Sequence, residues 1–345
     1  MVFYFLIFFQ IALFNLFKKK QIKFAFIYCG ILLFFIAAFR SSTVDQDYRG
    51  YIEYYENVLN QSFLGVEPTF IFIAYIVDTL LNNILYLFMI YAFLGVFLKF
   101  YAISQLTPFW IFSALIYFSH YFLLHEMTQI RLGVASGLLL LSIKPIEERK
   151  FGRFMILTLL AVSFHFSAIA CFLLYLLKGH KFNTILYLML IPFAYLIYFS
   201  NFDFTSLTDS LTIPIYLMQI KYDSYTYYAT VDKTINLFNY VHLSRCLLAC
   251  LLLWKWKLLA EKNSYSIIIL KIYFLAIFIF IAFANTPAIS SRISELMMVV
   301  EIILIPFLIY IFKQKNLATV MVMGIGFVFL SFALFYTKLL TGYFS

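Results

Sequence analysis

Apolar residues run along this chain in blocks about as long as a bilayer is thick, broken by short polar stretches, and that pattern predicts helices stacked across a membrane. Hydrocarbon is crossed by roughly 20 apolar residues. Blocks near that length fall at 2–17, 23–39, 83–103, 109–124, 130–143, 182–200, 236–254, 266–284, 295–312 and 317–336. Two more blocks fit a crossing badly. Residues 67–81 open with Glu67-Pro68 and carry Asp78, so a re-entrant or interfacial helix is expected there. Residues 154–177 are too few for two crossings, yet Arg149, Lys150 and Arg153 precede them and Lys178 and Lys181 follow, which suits the same side of a membrane at both ends. A helical hairpin turning between Ser163 and Ser167 satisfies both facts; a single crossing is the alternative. The expected fold is an all-α polytopic membrane protein of about ten spanning helices, one domain over 1–345 with two long outer loops, 40–66 and 201–235.

Composition narrows the class. Charged residues make up 12% of the 345 and hydrophobic ones 64%, where a soluble domain carries about 25% charged residues. The net charge of +9 does not mark a nucleic-acid surface, because the basic residues sit in short clusters between apolar blocks, as topology signals do. Sixteen of the 25 Lys and Arg, Lys99 among them, fall in loops assigned to the cytoplasmic side, while only Glu147, Glu148 and Glu261 of the 16 carboxylates share that side. Any polar chemistry is therefore expected to face outward. Met1 to Phe17 lacks a basic leader and a small-residue cleavage site, so it is read as a retained helix. Cys29, Cys171, Cys246 and Cys250 lie in apolar blocks without CxxC spacing and read as small buried residues. Tyrosines cluster in both outer loops (Tyr48, Tyr51, Tyr54 and Tyr55; Tyr222, Tyr225, Tyr227 and Tyr228), which suits an interfacial belt or carbohydrate stacking.

Against that apolar background the ionisable residues stand out. A charge at bilayer depth costs roughly 2.5–3.5 kcal/mol or more and by default faces a wet cavity. Arg40, Asp45, Asp47, Glu67, Arg131, His165 and Arg292 meet that description. Arg131, in Gln129-Ile130-Arg131-Leu132-Gly133, opens a span from its outer end; a guanidinium there can grip phosphate oxygens in pairs, or simply snorkel to the interface. Arg292 repeats the situation, with Glu295 three residues on as a possible partner. Arg40 ends the second block just before Asp45-Gln46-Asp47-Tyr48, whose carboxylates can act as general base or cap a helix. His165 sits at the proposed hairpin turn.

In order along the chain, Phe39-Arg40 with Asp45-Gln46-Asp47-Tyr48, Glu67-Pro68, Gln129-Ile130-Arg131-Leu132-Gly133-Val134-Ala135, Ala161 to His165 with Ser167-Ala168-Ile169, and Ser291-Arg292 before Leu304-Ile305-Pro306 resemble the EpsG-like family of Wzy-type polysaccharide polymerases. The resemblance spans roughly residues 39–306. Where that family usually has a glycine two residues before the loop aspartate, this chain has Asp45. By resemblance, the chain is expected to be a GT-C-like enzyme of the bacterial inner membrane that joins undecaprenyl-diphosphate-linked oligosaccharide units into O-antigen, capsule or exopolysaccharide outside the cytoplasm, with a chain-length regulator as a possible partner. The residues suit that chemistry. Arg131 and Arg292, with Arg40 behind them, would hold the leaving diphosphate, and Asp47, Glu67 or His165 would take the acceptor's proton, with Asp45, Tyr48 and Gln129 binding substrate nearby. No Gly-rich phosphate loop or nucleotide domain is present, which favours a lipid-linked donor. No cofactor or metal cluster is expected, although two acids in one loop keep a divalent ion open. A flippase for the same lipid, an O-antigen ligase and a multipass acyltransferase are the other classes considered.

Overall fold

A computed structural model of the chain describes residues 1–45, 47–63, 65–200 and 235–340. The elements are helical throughout: α1 (Val2–Leu13), α2 (Lys19–Ala38), α3 (Tyr48–Leu59), α4 (Pro68–Leu81), α5 (Leu85–Leu106), and α6 (Trp110–Ile116), which runs on as a π-helix through Tyr117–Glu126. Then come α7 (Ile130–Glu147), α8 (Phe151–Phe164), a 3-10 helix (Phe166–Leu176) and α9 (Thr184–Phe199). From residue 235 the described chain continues through α10 (Tyr240–Trp254), α11 (Trp256–Lys262), α12 (Ser266–Ala282), α13 (Pro287–Met298), the short α14 (Glu301–Leu304) and α15 (Leu308–Ile311), and α16 (Lys315–Ser331). Among the described residues no strand forms; Asp45 and Leu340 make an isolated bridge.

Among the described residues, four helices are long and apolar enough to cross a membrane: Lys19–Ala38, Leu85–Leu106, the broken helix Pro287–Ile311, and Lys315–Tyr336. With seven shorter apolar helices around them, the chain is a polytopic membrane protein. Its centre is α7, where every residue from 130 to 140 is buried. It packs against α5 on one side and α8 on another. The α5 and α7 backbones approach closely because small residues line the seam: a Cβ on Gly137 would stand 2.8 Å from Leu98 Cβ, and one on Gly95 2.7 Å from the Glu126 carboxylate. Small residues are the usual means by which membrane helices gain packing contact, since lipid supplies no hydrophobic drive.

The block 154–177 folds as the expected hairpin. His165 adopts an extended conformation (φ −154°, ψ 121°) that ends α8 and starts the 3-10 helix. The two limbs then close on each other, with Arg149 Nη1 donating to the carbonyls of Tyr175 and Leu177, both at 2.8 Å. A 14-residue α-helix rises about 21 Å and an 11-residue 3-10 helix about 22 Å. The tighter winding lets the shorter limb match the longer one. Helix α4 is 14 residues long and so about 21 Å, shorter than the ~30 Å hydrocarbon core.

The polar stretch after Ala284 is helical from Pro287, since a proline at the first helical position is pre-set for a helix, and this helix carries Arg292. One expectation is corrected. Lys99 is not in a cytoplasmic loop: α5 runs on to Leu106 and buries it completely. On α3, Tyr51, Tyr55 and Val58 recur at helical spacing and turn inward, while Tyr48 and Tyr54 stay partly exposed. The second tyrosine cluster, 222–228, lies outside the described residues.

Candidate functional site

Arg131 stands on the first turn of α7, and Glu67 is the residue that precedes Pro68 at the start of α4. The Arg131 Nη1 donates to Glu67 Oε2, with the carboxylate fully enclosed and the Arg131 side chain 11% exposed. The guanidinium face lies over Tyr54, 4.7 Å from the ring centre, and is flanked by Tyr51 at 5.6 Å and Phe70 at 5.7 Å. Planar stacking of this kind is available to arginine and not to lysine. Its Nε is buried and has no partner among the described residues.

A second arginine is built differently. Arg40, just past the end of α2, donates through Nε to Asp45 Oδ2 at 2.8 Å and through Nη1 to the Ala37 carbonyl at 3.1 Å. Both side chains are fully enclosed. Phe88 lies under the guanidinium at 4.4 Å and Tyr48 stacks on Phe88 at 4.6 Å. Burial raises the Asp45 carboxyl above its ordinary range, and Arg40 pulls it back. The pair pins the loop that leads to Asp47, which is exposed at the head of α3.

The hairpin turn meets this group from below. Thr69, two residues after Glu67, donates to the Ser163 carbonyl at 2.7 Å, which takes up an acceptor freed where α8 ends. At the turn, Ser167 N–H donates to His165 Nδ1 at 3.3 Å and Ser167 Oγ lies 2.7 Å from the same nitrogen. With Nδ1 accepting from the backbone, the neutral ring carries its proton on Nε2.

Arg292 completes the arrangement from α13. Partly exposed, it makes no ion pair or hydrogen bond among the described residues. Glu295 lies one turn on from Arg292, and Arg292 and Asp47 both lie within its electrostatic reach. Tyr51 likewise sits within reach of Arg131, Asp47 and Arg292. Residues from α3, α4, α7 and α13 thus share one end of the bundle, while Arg40, Asp45 and Tyr48 buttress it from α2.

Sequence reasoning passed over two buried charge clusters. Glu301, wholly enclosed where α13 breaks, accepts Arg245 Nε at 3.0 Å, Arg245 Nη2 at 3.2 Å, Tyr121 OH at 2.6 Å and Tyr273 OH at 2.9 Å. Lys99 donates to Glu126 at 2.5 Å and to the Gly133 carbonyl at 2.6 Å, deep between α5 and α7. The signal was present: each is an ionisable residue in or beside an apolar block, the criterion that picked out Arg131. No described trio of His, Cys, Asp or Glu comes close enough to hold a metal ion.

No curated protein and no solved structure matches the chain. The EpsG family of polysaccharide polymerase-like membrane proteins matches residues 23–344, nearly the whole length, and the chain belongs to that family.

Proposed function

We propose that this polysaccharide-biosynthesis membrane protein is a polymerase that transfers a growing glycan from its polyprenyl diphosphate to a hydroxyl of another lipid-linked repeat unit, on the outer face of the bacterial inner membrane. The observation that carries this reading is the enclosed Arg131–Glu67 pair, whose guanidinium lies 5.6 Å from the ring of Tyr51, one helical turn after the exposed Asp47. Such a site supplies what the reaction needs. Breaking the bond between sugar and diphosphate leaves negative charge on the phosphate oxygens, and preorganised cations there lower the barrier. Arg292, free of protein partners among the described residues, and Arg131, held by Glu67 with its Nε unpartnered, fit that role. Arg40 acts from behind by fixing the loop.

The geometry also sorts the base candidates. Glu67 is enclosed and committed to Arg131, so its role is to orient the guanidinium. His165 accepts from Ser167 and holds the hairpin turn. Asp47, exposed at the mouth, is the carboxylate with access to an acceptor hydroxyl, and it serves as general base. Asp45, Tyr48 and Gln129 position the arginines and Glu295 around it.

Purified protein in liposomes, given only a polyprenyl-diphosphate-linked oligosaccharide, tests the class. A polymerase makes a ladder of multiples of the repeat unit. Transfer only when a lipid A core is added would make it a ligase, and movement of the lipid across the bilayer with no ladder a flippase.

A further inference from the structure

Polymerisation brings two lipid-linked substrates together, and each carries a diphosphate. The cations at Arg131 and Arg292 account for one. Resting on that reading, we propose that Arg245 is the anchor of a second diphosphate site, which takes the lipid-linked acceptor.

The argument begins with how Arg245 is held. Glu301 grips one edge of the guanidinium, Nε and Nη2, at 3.0 and 3.2 Å. Tyr121 and Tyr273 saturate the rest of that carboxylate at 2.6 and 2.9 Å. The single Tyr121 hydroxyl proton is shared with the Met298 carbonyl, 2.7 Å away at the break that frees it. Both carboxylate oxygens of Glu301 are engaged by Arg245, which cannot rotate without breaking two charge-assisted bonds. The opposite edge of the guanidinium, Nη1, has no partner among the described residues. The side chain is 14% exposed while Glu301 is completely enclosed, so the free edge is on the open side. An arginine serving only to neutralise Glu301 has no need to present a second donor edge outward.

Its location suits a partner site: Arg245 lies about 7.5 Å along α10 from the first residue of that helix, Tyr240. Glu295, three residues after Arg292 on α13, also lies within electrostatic reach of Arg245. A negative group there keeps two bound diphosphates from merging into one site, and leaves the hydroxyl of one substrate to approach the sugar of the other.

Binding of an undecaprenyl diphosphate without sugar, measured on purified full-length protein by native mass spectrometry and by titration, reads the sites without any turnover. The wild type should bind two molecules per chain. Arg245→Lys keeps a cation beside Glu301 but cannot supply both a paired edge and a free one; it should melt close to the wild type and lose one of the two sites, with affinity there down about tenfold or more. Arg292→Gln should remove the other. Should Arg245→Lys unfold the protein, Arg245→Gln with Glu301→Gln, which leaves no buried charge unpaired, carries the same expectation. Retention of both sites by these variants, or a single site in the wild type, overturns the proposal. A wild type that binds two diphosphates yet makes no ladder would defeat the polymerase reading and leave this assignment standing.

Discussion

Arg131 and Glu67, 64 residues apart in the chain, form an ion pair whose carboxylate is completely enclosed and whose guanidinium keeps 11% exposure. The asymmetry gives the two residues different work. A buried carboxylate fixed to an arginine cannot leave to collect a proton from substrate without stranding a charge, whereas a stacked guanidinium with an unpartnered Nε can still meet an anion.

The two carboxylates of the site should therefore fail in different ways. Glu67→Gln should destabilise the protein by about 3–5 kcal/mol, the usual cost of breaking a buried pair from one side. Asp47→Asn should leave the melting temperature within a degree or two of the wild type, as surface substitutions do, and abolish the ladder. Thermal melting beside a ladder assay separates them, and an active Asp47→Asn protein would remove Asp47 as the base.

Arg40 and Asp45 should behave as a unit. Arg40→Met leaves Asp45 enclosed without its cation, and Asp45→Leu does the reverse, so each single change should cost about 3–5 kcal/mol, while the double change should cost far less than their sum. Chemical or thermal denaturation of the four proteins closes the cycle. Additive losses would mean that the pair seen at 2.8 Å contributes nothing.

At the hairpin turn, an acceptor at the position of His165 Nδ1 is what the Ser167 N–H requires. His165→Asn offers such an oxygen and should keep both the fold and a substantial share of activity. His165→Ala should lower stability, because the turn loses its acceptor. A His165→Asn protein that is stable and inactive would return His165 to the acid–base chemistry.

Sidedness is open to direct labelling. In a protein whose native cysteines are replaced, Ser42→Cys should react with a membrane-impermeant thiol reagent added outside intact cells or spheroplasts, and Asn316→Cys should not; both positions are exposed. The reverse labelling would put the site on the cytoplasmic face and defeat the proposed reaction.

Much of this arrangement is legible in the chain before any coordinates. Arg131, Arg292 and Glu67 are charges in apolar surroundings, and the mismatch between the length of 154–177 and its basic flanks is enough to demand a hairpin. The pairing of Arg131 with Glu67 was not legible, because an ion pair across 64 residues leaves no periodic trace. Arg245 and Glu301, 56 residues apart, escaped for the same reason: a pairing across that separation leaves no periodic trace in the sequence. Lys99 falls inside the apolar block 83–103, and counting it as a loop charge followed the usual link between lysine and the cytoplasmic side instead of the block that contains it. The inward turn of α3 follows from its tyrosines at helical spacing, but their amphipathic rings suit an interface equally well, and only the arginines behind them decide the direction.

The central claim is that Arg131 and Arg292 act on one diphosphate. Initial rates of polymerisation for Arg131→Lys, Arg292→Lys and the double variant, as kcat/KM for the donor at saturating acceptor, test it most directly. Each single change should cost about tenfold or more, since an ammonium cannot reproduce paired contacts, and the double change should cost much less than the product of the two. Losses that multiply, or a single variant with the wild-type rate, would show that the two arginines do not share a substrate group.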